Sequence, residues 1–158
     1  MGKKQEKTNV MRILDQKKIS YEFFEYDETI TDGVMVAQTL GEPCERVFKT
    51  LVTVSPKNVN YVFVVPVHKT LDLKAAAAVV GEKSVAMIKQ KELLPLTGYI
   101  HGGCSPIGMK KFFTTMVNET AKNQDYIMFS GGKIGYQVKV SPADLEKMIR
   151  LNYADLTV

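Results

Sequence analysis

Val47-Phe48-Lys49-Thr50-Leu51-Val52-Thr53-Val54, then Ser55-Pro56-Lys57-Asn58, then Tyr61-Val62-Phe63-Val64-Val65-Pro66, is the passage on which the fold turns. The first run alternates, with Val47, Lys49, Leu51 and Thr53 on one face and Phe48, Thr50, Val52 and Val54 on the other. It suits a buried strand apart from one residue, Lys49, its only charge. Residues 55–58 carry the proline and asparagine of a turn, and the strongly apolar run after them reads as the returning strand of a hairpin.

Outward from this hairpin the chain continues to favour strands. Upstream, Asn9 is placed to cap a helix over 9–17 in which Val10, Ile13 and Leu14 share a face. Residues 21–26 form an aromatic-rich strand, and an acidic loop over 27–32, which ends in good capping residues, leads to a short helix over 33–40 that Gly41 and Pro43 stop. Downstream, Asp72 caps an alanine-rich helix through Val80, which Gly81 ends. A brief strand over 84–88, a helical turn over 91–94 and strands over 111–117, 126–130 and 136–140 follow. Gly131-Gly132-Lys133 is a turn that needs positive φ. Ser141-Pro142-Ala143-Asp144 opens a last helix to about Leu151 with a capping serine, proline at the first helical position and an acid in the first turn. The strands come mostly in adjacent runs. The expected fold is therefore α+β: one domain over 1–158, built on a mixed, mostly antiparallel sheet or a partly closed barrel with flanking helices.

At 158 residues, 45% hydrophobic and 24% charged, the chain can bury a core without disulfides or metals. Its longest apolar runs, 61–67 and 75–80, fall far short of the roughly 18–20 residues that cross a bilayer. The lysine-rich start lacks the apolar stretch of a signal peptide, so a cytoplasmic protein with no membrane partner is expected. Cys44 and Cys104 have no CxxC spacing, and only His68 and His101 could join them, so no metal and no cofactor are expected. Residues 1–18 carry six basic and two acidic side chains, residues 19–48 one and seven, and residues 49–158 fourteen and eight. That pattern fits either a solvated surface or one basic face that meets a polyanion. Neither RGG repeats nor a base-reading helix is present, so DNA recognition is not expected.

Chemistry has two candidate sources. The first is His101-Gly102-Gly103-Cys104-Ser105-Pro106-Ile107-Gly108, a thiol, a hydroxyl and an imidazole on a glycine-rich backbone. Ser105 does not match the Gly-x-Ser-x-Gly elbow, and Pro106 removes an amide where an oxyanion hole would want one. Cys104 would need a base that only His101 or His68 could provide. The second source is Lys49, which either extends to solvent or points into a pocket, where its charge would favour a phosphate, a carboxylate or a developing oxyanion.

Three motifs agree in order and spacing: Val47-Phe48-Lys49-Thr50-Leu51-Val52, Gly102-Gly103-Cys104-Ser105-Pro106-Ile107-Gly108 and Phe129-Ser130-Gly131-Gly132-Lys133-Ile134-Gly135. Together they resemble the YbaK/EbsC-type aminoacyl-tRNA deacylases, over nearly the whole chain. The resemblance implies an editing hydrolase that clears mischarged Cys-tRNA(Pro), and in some members other Cys-tRNAs. It makes Lys49 the critical side chain. It places Gly102, Gly103, Cys104, Ser105 and Pro106 against the aminoacyl ester, with Ser130 and the first-strand Tyr21 beside them. Some members carry an acid where Gln137 stands here, which leaves that position a hydrogen-bonding role.

The resemblance further implies that the substrate's own thiol attacks its ester, giving a cysteine thiolactone and free tRNA. A thiol with an ordinary pKa near ~8.5 needs only modest help and the right conformation. The acceptor-end phosphates would meet Lys110, Lys111 and Lys133 through salt-dependent contacts. Prolyl-tRNA synthetase is the implied protein partner. Deacylation of another small residue, such as alanine from Ala-tRNA(Pro), and a noncatalytic aminoacyl-binding module remain open alternatives.

Overall fold

The hairpin read from the sequence is the centre of the fold. In the computed structural model, which describes residues 7–158, β2 (Phe48–Val54) and β3 (Asn60–Pro66) pair antiparallel from Phe48–Pro66 to Val54–Asn60. Ser55 shapes the turn, its Oγ accepting from the Val59 amide at 3.2 Å, and Asn58 takes the left-handed conformation with φ 61°. Asparagine tolerates that conformation better than most residues.

The remaining α-helices and strands are α1 (Asn9–Gln16), β1 (Glu22–Glu25), α2 (Gly33–Leu40), α3 (Leu73–Val80), β4 (Ala86–Met87), α4 (Gln90–Thr97), β5 (Thr114–Asn118), β6 (Ile127–Ser130), β7 (Tyr136–Val140), α5 (Pro142–Met148) and β8 (Asn152–Ala154), with short 3-10 turns at Cys44–Arg46 and Glu119–Asn123. One sheet has the order β4-β2-β3-β5-β8 and the other β1-β7-β6. The β1–β7, β6–β7, β2–β3 and β2–β4 pairs are antiparallel, whereas β3–β5 and β5–β8 are parallel. Among the described residues, one isolated parallel bridge, Val47 to Met128, joins the two sheets. The mixed sheet is as expected, and it stays open rather than closing into a barrel.

Side-chain alternation along β3 divides the interior. Val62 and Val64 enter the main core with Met11, Leu14, Phe129, Val138 and Leu145, while Phe63 and Val65 enter a second core with Ala76, Ala77 and Leu156. A strand buried on both faces reads as a continuous apolar run, as this one does. Each such side chain contributes about 1.5–3 kcal/mol by leaving water. A third cluster, Ala37, Val47, Val67 and Met128, lies under α2 and seats that helix beside the start of β2.

Several boundaries differ from the expected ones for local reasons. Thr8 rather than Asn9 caps α1, its hydroxyl accepting from the Met11 amide at 3.2 Å. The helical turn expected over 91–94 extends through Pro95 to Thr97 and is ended by Gly98, which takes the left-handed conformation and donates to the Leu94 carbonyl. The strand expected from Lys111 begins at Thr114. The last helix ends at Met148, and Asn152–Ala154 then adds an edge strand parallel to β5.

Candidate active site

Val47, just before β2, bridges to Met128 of β6, and β2 pairs with β4 through Thr53 and Val54. Between those points its outer edge has no strand neighbour among the described residues, and a cleft of about 510 Å³ opens there. Val47, Phe48, Lys49, Thr50 and Leu51 all line it. Only alternate residues of a strand share a face, so five in succession mean that the cleft meets β2 edge-on. Asp32, Gly33 and Val36 supply the α2 side, Ser130 and Gln137 come from β6 and β7, and His101, Gly102 and Cys104 come from the glycine loop.

Lys49 is half-buried in this cleft. Burial lowers its pKa from the ordinary lysine value, and the negative charge of Asp32 acts in the opposite direction. Asp32 is held in place by its other task, capping α2 through a 3.2 Å bond from the Met35 amide to its Oδ2. The sequence reading saw only that cap. A partly desolvated cation at the edge of a strand is a strong attractor for a developing negative charge.

The glycine loop presents backbone. Gly102 adopts φ 89°, and the Gly103 amide closes a turn onto the Ile100 carbonyl at 3.0 Å. A Cβ on Gly103 would lie 3.0 Å from the Ile134 nitrogen and 3.2 Å from the Lys133 carbonyl carbon, so the two glycine motifs meet main chain to main chain. The loop's thiol and hydroxyl are both buried. Cys104 is buried with its thiol pKa pushed up to about 12 by that burial, a bond with Thr97 acting in the opposite direction. Ser105 is wholly buried, its Oγ accepting from the Ile107 amide at 3.3 Å, and the Tyr99 hydroxyl donates to the Ile107 carbonyl.

With its pKa pushed up by burial, the Cys104 thiol stays protonated at pH 8. Iodoacetamide at pH 8 is therefore expected to modify Cys104 only after unfolding, and peptide mass spectrometry of native and denatured protein checks this. Rapid native labelling of Cys104 would restore it as a candidate nucleophile.

Of the residues singled out in the sequence, Lys49, Gly102, Cys104, Ser130 and Gln137 line the cleft together. Gly103 and Ser105 are buried and outside the lining, and Pro106 lines a second cavity instead. Tyr21 is not at the cleft. It packs against the main core, with Asp15 and Lys7 acting on its hydroxyl. Tyr21 and Tyr26 bracket β1, and Tyr26 is the one that reaches the cleft, its amide bonded to the Gly135 carbonyl at 2.9 Å. Lys110, Lys111 and Lys133 are exposed and outside the lining. Lys110 Nζ donates to the Pro95 carbonyl at 3.4 Å, and the Lys111 and Lys133 ammonium groups lie 5.4 and 5.7 Å from the Phe113 and Tyr136 ring centres.

Two lining residues carry an unmet need. Thr50 Oγ1 and Gln137 Oε1 are buried without a hydrogen-bond partner among the described residues. Buried polar atoms are nearly always paired, and these two exceptions both belong to residues of the cleft lining. Ser130 differs, since its Oγ already accepts from the Gly132 amide at 3.1 Å. No group of three or more His, Cys, Asp or Glu side chains among the described residues could hold a metal ion.

The profile of the aminoacyl-tRNA editing domain family matches residues 27–148, a span that holds nearly all of this cleft. The chain belongs to that family. Over 98% of its length the editing domain is 42% identical to a protein of Enterococcus faecalis provisionally named Cys-tRNA(Pro)/Cys-tRNA(Cys) deacylase EbsC, covering 96% of that relative. Two crystal structures share the fold of this editing domain. One, a hypothetical protein designated APE2540, superposes with a TM-score of 0.86 at 20% identity, over 94% of this chain and 99% of the other. The other, provisionally described as a trans-editing enzyme for prolyl-tRNA synthetase, gives 0.82 at 23% identity, over 96% and 98%.

Proposed function

We propose that this chain is a Cys-tRNA deacylase, acting on mischarged Cys-tRNA(Pro) and on other Cys-tRNAs, and that the substrate's thiol performs the attack. The observation that carries this reading is the pairing of a half-buried cation, Lys49, with the absence of an activated protein nucleophile in the cleft lining. Cys104 is held protonated and Ser105 is turned inward. The name of the Enterococcus faecalis relative supports the choice of cysteinyl substrate.

The residues divide the work as follows. Thr50 and Gln137 line the cleft with hydrogen-bonding side chains, to which the α-ammonium of the aminoacyl group offers donors. Gly102 and its neighbours wall the ester. The substrate Sγ, as thiolate, bonds to the ester carbonyl carbon, and negative charge gathers on the carbonyl oxygen, where Lys49 stabilises it. Collapse breaks the bond to the terminal ribose oxygen, which takes up a proton, and releases cysteine thiolactone and free tRNA. The protein thus supplies conformation and charge while the substrate supplies the nucleophile.

The same reading makes the 158 residues one working domain and prolyl-tRNA synthetase the protein partner, in the cytoplasm. The fold neighbour described as a trans-editing enzyme for that synthetase is consistent with such a partnership. Among the described residues no helix is long and apolar enough to cross a membrane.

The test compares Cys-, Ala- and Ser-tRNA(Pro) with one enzyme preparation. Cleavage of the cysteinyl ester is expected to exceed the others by at least about 100-fold, because only it carries an internal nucleophile of high effective concentration. Equal rates on the alanyl ester would replace this mechanism with attack by water.

A further inference from the structure

Beside the glycine loop lies a second, smaller cavity of about 210 Å³, to which Pro106, Lys111, Phe112, Phe113 and Ile149 contribute. Its most exposed large apolar residue is Phe112, at 63% exposure. The Arg150 guanidinium lies over the Phe112 ring, 5.7 Å from its centre, and the Lys111 ammonium over Phe113. Two cations therefore frame this aromatic surface, and no carboxylate lines the cavity. None of this is used by the chemistry assigned to the cleft.

We infer that Phe112, with Lys111 and Arg150, is a stacking platform for the single-stranded acceptor end of the RNA whose ester occupies the cleft. This inference rests on the function proposed above. An exposed ring offers a flat apolar face to any base, and flanking cations offer partners to the phosphates on either side. The volume fits the same use: sites that enclose a small molecule run to about 300–1,000 Å³, so an occupant here lies on the surface rather than inside it.

Position favours RNA over a protein segment. Cys104 lines the cleft and Pro106 lines the second cavity, two residues apart and so at most about 7 Å along the chain. An acceptor end that delivers its terminal ribose to the cleft passes over this face within a few nucleotides. Lys111 then acts as one of a pair with Arg150 around a ring, rather than as one of three scattered lysines.

The experiment uses the full chain and an uncharged acceptor-stem minihelix ending in single-stranded CCA, with 2-aminopurine replacing the terminal adenine in one arm and a neighbouring overhang base in another. Stacking is read as fluorescence quenching, and affinity by titration at fixed salt. Phe112→Ala is expected to abolish quenching in at least one arm and raise Kd about 10-fold, the scale of one lost base–aromatic stack. Phe112→Trp is expected to restore both, and Phe112→Leu neither. Lys111→Ala with Arg150→Ala should flatten the salt dependence. A blunt-ended duplex should bind the parent and Phe112→Ala alike. The inference falls if Phe112→Ala binds the overhang as the parent does, or if leucine rescues as well as tryptophan, which would mark a protein-docking patch. Because binding is read without turnover, the outcomes separate. Quenching without deacylation would spare the platform and overturn the catalytic proposal, and deacylation without quenching would do the reverse.

Discussion

Lys49→Met is expected to lower kcat/KM for Cys-tRNA(Pro) by at least about 100- to 1,000-fold, the scale of removing one preorganised oxyanion partner. The same variant should be no less stable at neutral pH than the parent. Burial lowers the folded-state pKa of Lys49 below its unfolded value. Between those two values the unfolded chain binds more protons, so stability rises as pH climbs from the folded pKa toward the ordinary lysine range. Below that window both states carry the charge, and the folded protein bears its desolvation cost. Methionine keeps the stem, drops the charge and removes that cost. Single-turnover deacylation and a denaturant titration at pH 7 give both readings. Retained activity would end the assignment of Lys49, and a large loss of stability would show that its charge serves the fold.

Phe129→Ala is expected to have the largest effect on stability, about 3–5 kcal/mol. Phe129 is fully buried in the main core and pairs in register with Val138 across β6 and β7. Truncation loses transfer energy and leaves a cavity in packing that can collapse only partly. For a chain of this length the melting temperature should fall by roughly 6–20 °C. A denaturant midpoint that drops with an unchanged slope would show a change in stability alone. A loss below about 1 kcal/mol would mean that the site relaxes around the smaller residue. Phe129 precedes Ser130, so the same variant tests whether the β6 end of the cleft depends on this packing.

Where one local signal sufficed, the fold was legible from residues alone. The alternation and turn of the central hairpin, the Ser141-Pro142 helix start and the Asp72 cap each act within a few residues, and the structure keeps all three. β8 was not legible. Asn152–Ala154 has no alternation to announce it and becomes a strand only because β5 offers an edge. The same division runs through the site. Lys49 was visible as a charge in an apolar strand, whereas Asp32 looked like a capping residue and Thr50 like an ordinary strand threonine. Their cleft roles arise from β2 leaving its neighbours, a long-range event. The two tyrosines around β1 were indistinguishable by pattern, and only the pairing of β1 with β7 shows which end meets the cleft.

The contact of Gly103 with the backbone at Lys133 and Ile134 has a consequence for how such a molecule can change. A wall fixed where main chain meets main chain has no side chain at the contact to exchange, so substitution cannot gradually reshape it. Retuning toward a different amino acid must fall instead on the exchangeable rim, at Val36, Thr50, Leu51 or Gln137. Wall and rim are thus separately heritable, and under the function proposed above new selectivity can arise without rebuilding the reaction.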